Sequence, residues 1–229
     1  METLSFILEN GKLIGLLLGQ HLLIVAIAVG LAILTGVPIG IVISQRPKLG
    51  RWVLAFAAVL MTIPSTALFG LMIPALSVIG YGIGVVPAVI ALFLYSQLPI
   101  IRNTTTAISN LDPALREAAV GMGMSTWQRL CKVELPIAVP LIMAGIRMAT
   151  VINIGIAAIA AYIGAGGLGS LIIRGIAQSD NRQLLAGAII ISIIAILADY
   201  ALYALQRLLT PTGLNKNKVT SGQLKEATT

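Results

Sequence analysis

Few residues in this chain have the capacity for bond chemistry, and their spacing excludes most of it. There is one histidine, His21, and one cysteine, Cys131. Far apart in sequence and each alone, they form no metal-ligand pattern, and a single thiol closes no internal disulfide. No G-x-x-x-x-G-K-[ST] sequence occurs, so the chain has no P-loop with which to bind ATP itself. Gly164-Ala165-Gly166-Gly167-Leu168-Gly169 satisfies G-x-G-x-x-G literally, but a dinucleotide site also needs a preceding strand, a following helix and an acid about 20 residues on. Asp180 is too close to serve, and the segment reads as a flexible turn that could belong to an outer gate. The sequence therefore predicts no catalytic residue, no metal and no cofactor of its own.

What remains is a small set of polar groups inside apolar runs. Arg147 and Asp199 are ionisable residues within such runs, where charges are costly and tend to be paired or functional. Counting about 1.5 Å of helical rise per residue puts both some 12–16 Å from the same end of their spans, so the two are expected to pair. Thr62, Ser65, Tyr95, Asn153 and Tyr162 are the candidate groups for lining a polar route, each with the alternative of holding helices together. His21 is placed at the edge of the first span as an interfacial residue, with pH sensing as the alternative.

The elements that carry these residues must be membrane helices. Of 229 residues 58% are hydrophobic and only 10% charged, with mean hydropathy +0.99. Soluble domains run about 45–50% apolar and about 25% charged, so a soluble enzyme is excluded. A hydrocarbon core of about 30 Å needs about 20 apolar residues in a helix. Five stretches qualify, at about 20–44, 52–77, 85–101, 136–159 and 184–205. None alternates like a strand, so the fold is an all-α membrane protein, one domain over 1–210, followed by a polar tail over 211–229 that is expected to be disordered.

Net charge is +7. The positive residues gather between the first and second spans (Arg46, Lys48, Arg51), between the third and fourth (Arg102, Arg116, Arg129, Lys132) and after the fifth. The positive-inside rule then predicts N-out/C-in, and the basic excess marks cytoplasmic loops rather than nucleic-acid binding. The N-terminus lacks a basic n-region, so no cleaved signal peptide is expected. The sequon at Asn103-Thr104-Thr105 falls inside the cell and is discounted.

The long polar loop, Arg102–Leu135, reads as two short helices. Asp112-Pro113 is an N-cap followed by a first-turn proline. Leu115, Ala118, Ala119 and Met122 fall on one face, Gly121 and Gly123 end the helix, and Ser125-Thr126-Trp127-Gln128 has capping-box form. Pro136 is expected to turn the chain into the fourth span. From the residues alone, a small-residue stripe suits a partner's groove or the lipid headgroups equally well.

Glu117-Ala118-Ala119, then Gly123, then Val133-Glu134-Leu135-Pro136 resembles the EAA loop of binding-protein-dependent ABC importer permeases. The Thr62-Ile63-Pro64-Ser65, Leu98–Thr104 and Asn153–Gly169 segments look like the osmoprotectant branch, which carries glycine betaine, carnitine and choline. The resemblance covers roughly Gln20–Arg207. It implies a type I importer permease fold in the bacterial inner membrane, with the loop between helices three and four as the coupling helix. Glu117, Ala118, Ala119, Gly123, Leu135 and Pro136 would be the ATPase-coupling positions. It also implies three partners: a cytoplasmic ATPase that binds the ATP, a second permease subunit, identical or homologous, and an extracytoplasmic binding protein. Trp52 and Trp127 both fall at the cytoplasmic boundary, so no aromatic cage stands at the outer entrance, as fits a permease that is handed its cargo. The alternatives are an importer for methionine or another small solute, a dimeric secondary transporter or channel independent of ATP, and a non-transporting assembly protein.

Overall fold

The computed structural model describes residues 2–210; the expected disordered tail lies outside them. Among the described residues every regular element is helical: α1 (Glu2–Glu9), α2 (Gly11–Ser44), α3 (Pro47–Thr62), α4 (Ser65–Ser77), α5 (Val85–Ser109), α6 (Pro113–Gly121), α7 (Thr126–Arg129), α8 (Leu135–Ile159), α9 (Gly169–Gln178) and α10 (Asn181–Leu209). Four segments are long and apolar enough to cross a membrane, and a fifth forms if α3 and α4 count as one broken span.

At the centre is α5, which packs against α2, α3, α4 and α8 and is buried along most of its length. Close approach is made possible by small residues spaced four apart on α2, namely Ala28, Ala32, Gly36 and Gly40, all buried. A Cβ at Gly40 would sit 2.6 Å from the Thr104 Cβ, so the α2–α5 crossing admits only glycine there. Polar groups facing this seam are largely tied off: Gln97 Nε2 donates to Thr35 Oγ1 at 3.1 Å, and Thr105 Oγ1 donates to the carbonyls of Ile101 and Gly40 at 2.8 and 3.2 Å. On the other side α8 crosses α5 at Gly145, where a Cβ would meet the Pro99 carbonyl oxygen at 2.7 Å. The outermost helix is α10, packed on α8 and α9, with only Ala186, Gly187 and Ile191 buried.

Several expected boundaries move. The second span is not continuous: α3 and α4 meet at 98°. Pro64 has no N–H and pushes Ile63 out of the helical region (ψ 126°), which breaks the ladder. Tyr95 then donates its hydroxyl to the freed Ile63 carbonyl. The third span runs on to Ser109 instead of stopping at Ile101, so part of the expected loop is helix. Pro136 does not turn the chain. A π-helical turn over Leu130–Glu134 joins α7 to α8, with the Leu135 N–H reaching back five residues to the Leu130 carbonyl. The Gly-rich segment is not a loose connection either, because a 3-10 turn (Ala160–Ile163) precedes it and α9 follows.

Candidate functional site

The loop helix α6 is built as its sequence dictates. Asp112 Oδ1 accepts from the Ala114 N–H at 2.9 Å, capping the first turn, and Pro113 needs no partner. At the other end Gly123 takes φ +76°, the Met124 N–H bonds the Ala119 carbonyl at 3.1 Å and the Gly123 N–H bonds the Val120 carbonyl at 2.9 Å. This is a Schellman closure, and it aims the chain directly into α7. There Ser125 and Gln128 complete a reciprocal capping box at 2.9 and 3.3 Å.

The expected apolar stripe divides. Ala119 is 1% exposed and faces inward, whereas Glu117 and Ala118 are exposed, as are Leu115, Val120 and Met122. Trp127, 72% exposed, extends this apolar face onto α7. Leu135 and Pro136 are half-buried at the foot of α8. With Pro38, Gln45 and Leu130, Leu135 helps line a groove of about 420 Å³ between the end of α2 and α7. Beneath α6, Glu134 is 2% exposed. Its Oε1 accepts from Arg129 Nε at 3.0 Å and lies 3.2 Å from Arg116 Nε, and Arg116 Nη2 donates to the Ile108 carbonyl at 2.7 Å.

On the outer side of the bundle, Arg147 of α8 and Asp199 of α10 meet. Arg147 Nε and Nη2 donate to the two carboxylate oxygens, both at 2.8 Å, which is the planar two-bond geometry that suits guanidinium and carboxylate. Arg147 Nη1 also donates to Gln206 Oε1 at 3.3 Å, and its guanidinium lies 4.9 Å from the Tyr203 ring centroid. The side chains are 24% and 42% exposed, so the pair lies on a face of the single chain. Removing either partner by substitution with alanine is expected to cost about 1–3 kcal/mol, below the ~3–5 of a fully buried pair. Exchanging the two residues should restore most of the loss, read as the melting temperature of the purified protein. An exchange that inserts normally yet recovers nothing would argue against a pairing role.

The five candidate route residues separate into two groups. Asn153 is fully buried, its Nδ2 donating to the Leu92 carbonyl at 3.0 Å and to Ser96 Oγ at 2.6 Å, so it ties α8 to α5. Tyr95 is likewise enclosed, against Ile63. Thr62 is exposed, with its Oγ1 donating to Val59 at 2.7 Å, Ser65 opens α4 half-buried, and Tyr162 is exposed. Tyr162 flanks a hollow of about 290 Å³ with Thr66, Phe69 and Ile159. These three retain an open face; Asn153 and Tyr95 do not.

His21 is not interfacial. It is 1% exposed, and its Nε2 donates to the Ile154 carbonyl at 3.0 Å. Gly167 packs against its ring, and the Gly167 N–H donates to Gln20 Oε1 at 3.2 Å, so the Gly-rich segment is pinned to α2. A lone histidine in an apolar run carries no signal that would reveal this. Glu134 stood in the loop motif, but its ion pairs were not marked there: Arg129 lies five residues back, outside the usual three- and four-residue helical spacing, and Arg116 comes from α6.

The comparisons with known proteins complete the geometry. Residues 22–212 match the family described as binding-protein-dependent transport system inner membrane component. The chain belongs to this family. It is thus an inner-membrane permease subunit, a non-catalytic transport component that works with a substrate-binding protein and an ATPase. Among its relatives is the osmoprotectant import permease protein OsmW of Salmonella typhimurium, 56% identical over 93% of this chain and 100% of that protein. The glycine betaine/carnitine/choline permease OpuCB of Bacillus subtilis is 40% identical over 96% and 99%. The choline permease OpuBB of the same organism is 39% identical over 95% and 98%. Among solved structures, the inward-facing MetNI methionine ABC transporter matches with TM-score 0.75 at 25% identity, covering 84% of this chain and 94% of that one. The fold of this permease is therefore that of the ABC importer in that structure.

Proposed function

We propose that this permease carries a compatible solute of the quaternary-amine class, glycine betaine, choline or carnitine, across the inner membrane. The observation that carries the reading is the full-length 56% identity to an osmoprotectant import permease, reinforced by relatives named for the three solutes. The chain inserts N-out/C-in and pairs with a second permease, identical or homologous. The ATPase binds the ATP and takes up the exposed face of α6 around Glu117 and Ala118, with Gly123 as the hinge; the buried Ala119 seats the helix. Leu135 and Pro136 set the foot of α8. The binding protein delivers solute on the opposite side. The chain needs no cofactor or metal. Thr62, Ser65 and Tyr162 supply the polar and aromatic groups along the route, while Tyr95 and Asn153 hold its walls. ATP binding can shift the assembly between its inward- and outward-facing forms only through unequal affinity for the two.

The test is uptake of labelled glycine betaine into proteoliposomes holding the complete transporter, with unlabelled choline, carnitine and methionine as competitors. Quaternary amines should suppress uptake, methionine should not, and removal of ATP should abolish it. Competition by methionine alone would reassign the substrate. Uptake that persists without ATP would overturn the importer reading.

A further inference from the structure

The carboxylate of Glu134 sits where α6 meets the continuous helical run that leads from α7 through the π-helical turn into α8. Arg116 comes from α6, Arg129 from α7, and Glu134 itself is the last residue of the π-helical turn, immediately before α8. Arg116 also reaches the last turn of α5, through the Ile108 carbonyl at 2.7 Å. A carboxylate at 2% exposure between two guanidiniums has no water to replace a lost partner, so the contacts form and break together. The arginine side chains are 36% and 23% exposed, but Arg116 Nε is itself buried and makes no hydrogen bond, so its hold on the carboxylate at 3.2 Å is an ion pair, whereas Arg129 Nε donates to it at 3.0 Å. The two spans gripped in this way are the central crossing pair, α5 and α8, which touch at Gly145 and Asn153.

We propose that Glu134, held by Arg116 and Arg129, is the positioning residue that passes displacement of α6 to α5 and α8, and so couples ATP hydrolysis to opening of the route. The inference rests on α6 being the segment the ATPase moves. Movement of α6 draws Arg116, which pulls Glu134 and with it the foot of α8, and bears at the same time on the end of α5. The π-helical turn gives the foot of α8 a wider, less tightly bonded turn that can tighten or rotate as the clamp shifts. Glu134 touches neither ATP nor solute. Its part is to make the loop and the two spans move as one body, which the uptake per ATP of the variants reads directly.

The test uses the complete transporter in proteoliposomes, with the unaltered permease and the variants Glu134→Gln, Glu134→Asp and Arg116→Ala. Three quantities are read: ATPase retained on purification, ATP hydrolysed, and glycine betaine taken up per ATP. Glu134→Gln keeps size and packing while removing the charge. It should retain the ATPase and still hydrolyse ATP, yet take up at least about fivefold less solute per ATP, the low end of typical coupling energies. Glu134→Asp should recover part of that loss. Arg116→Ala, at a more exposed position, should show the same uncoupling and serves if Glu134→Gln fails to accumulate. Uptake per ATP unchanged in Glu134→Gln or, where that chain is not made, in Arg116→Ala overturns the clamp while leaving the importer reading intact. An unaltered permease that retains no ATPase overturns both.

Discussion

Replacing Ala118 with glutamate should strip the ATPase from the purified complex while the permease itself remains folded. Ala118 lies on the exposed face of α6 beside Glu117, where a larger side chain meets nothing in its own chain that forbids it. In a tight helix-in-groove contact it would bury a charge without a partner, and central contacts of that kind cost about 2 kcal/mol or more, or at least about a thirtyfold loss of affinity. Ala119→Glu makes the informative contrast. Ala119 is 1% exposed and turned toward the protein, so the same substitution there places the charge inside the loop and should unseat α6 from its own chain. Co-purification of the ATPase, together with thermal stability of the permease alone, separates the two: Ala118→Glu loses the partner at unchanged stability, Ala119→Glu loses both. Full ATPase recovery with Ala118→Glu would remove the exposed face of α6 from the docking surface.

Gly169→Ala is expected to be the most damaging single-methyl substitution in the bundle. A Cβ there would lie 1.9 Å from the Ala158 carbonyl oxygen and 2.7 Å from the Ala158 Cα. Because the obstacle is main chain, no rotamer change relieves it, and α9 must move away from α8. Forcing one extra carbon into a packed site typically costs about 1–3 kcal/mol, and a backbone clash this close belongs at or above the upper end. Gly155→Ala supplies the control, since Gly155 is helical and has nothing within 4 Å of its would-be Cβ. That change should be neutral or stabilising by up to about 1 kcal/mol through helix propensity alone. A melting temperature for Gly169→Ala equal to that of the parent would mean that α9 is not seated on α8 as described.

What could be read in the sequence divides along the range of the interactions. The caps of α6 and α7 were legible because Asp112, Gly123 and Ser125 act on backbone within a few residues. The Arg147–Asp199 contact was legible because charge is scarce in apolar spans and helical rise fixes depth. Pro64 was not. Pro38, Pro74, Pro99 and Pro140 all lie inside continuing helices, so proline alone does not say where a span breaks. The difference at Pro64 involves a distant helix, from which the Tyr95 hydroxyl donates to the freed Ile63 carbonyl. The inward turn of Ala119 likewise depends on how α6 is rotated about its hinge, and no local periodicity encodes that rotation. His21 owes its burial to Gly167 and Ile154, both far away along the chain.

The break between α3 and α4 bears on how the protein is manufactured. At 16 residues α3 rises only about 24 Å, short of a hydrocarbon core of about 30 Å. Its end and the start of a sharply turned α4 leave irregular backbone at a depth where lipid offers no hydrogen bonds, and such backbone persists only when covered by protein or bathed by water. Here the cover comes from the chain itself: α5 packs on both halves of the break, and the Tyr95 hydroxyl donates to the Ile63 carbonyl. Since α5 follows α3 and α4 in the chain, the broken span is completed only once a later helix has been made and docked, and a product ending before α5 would leave the break without its cover.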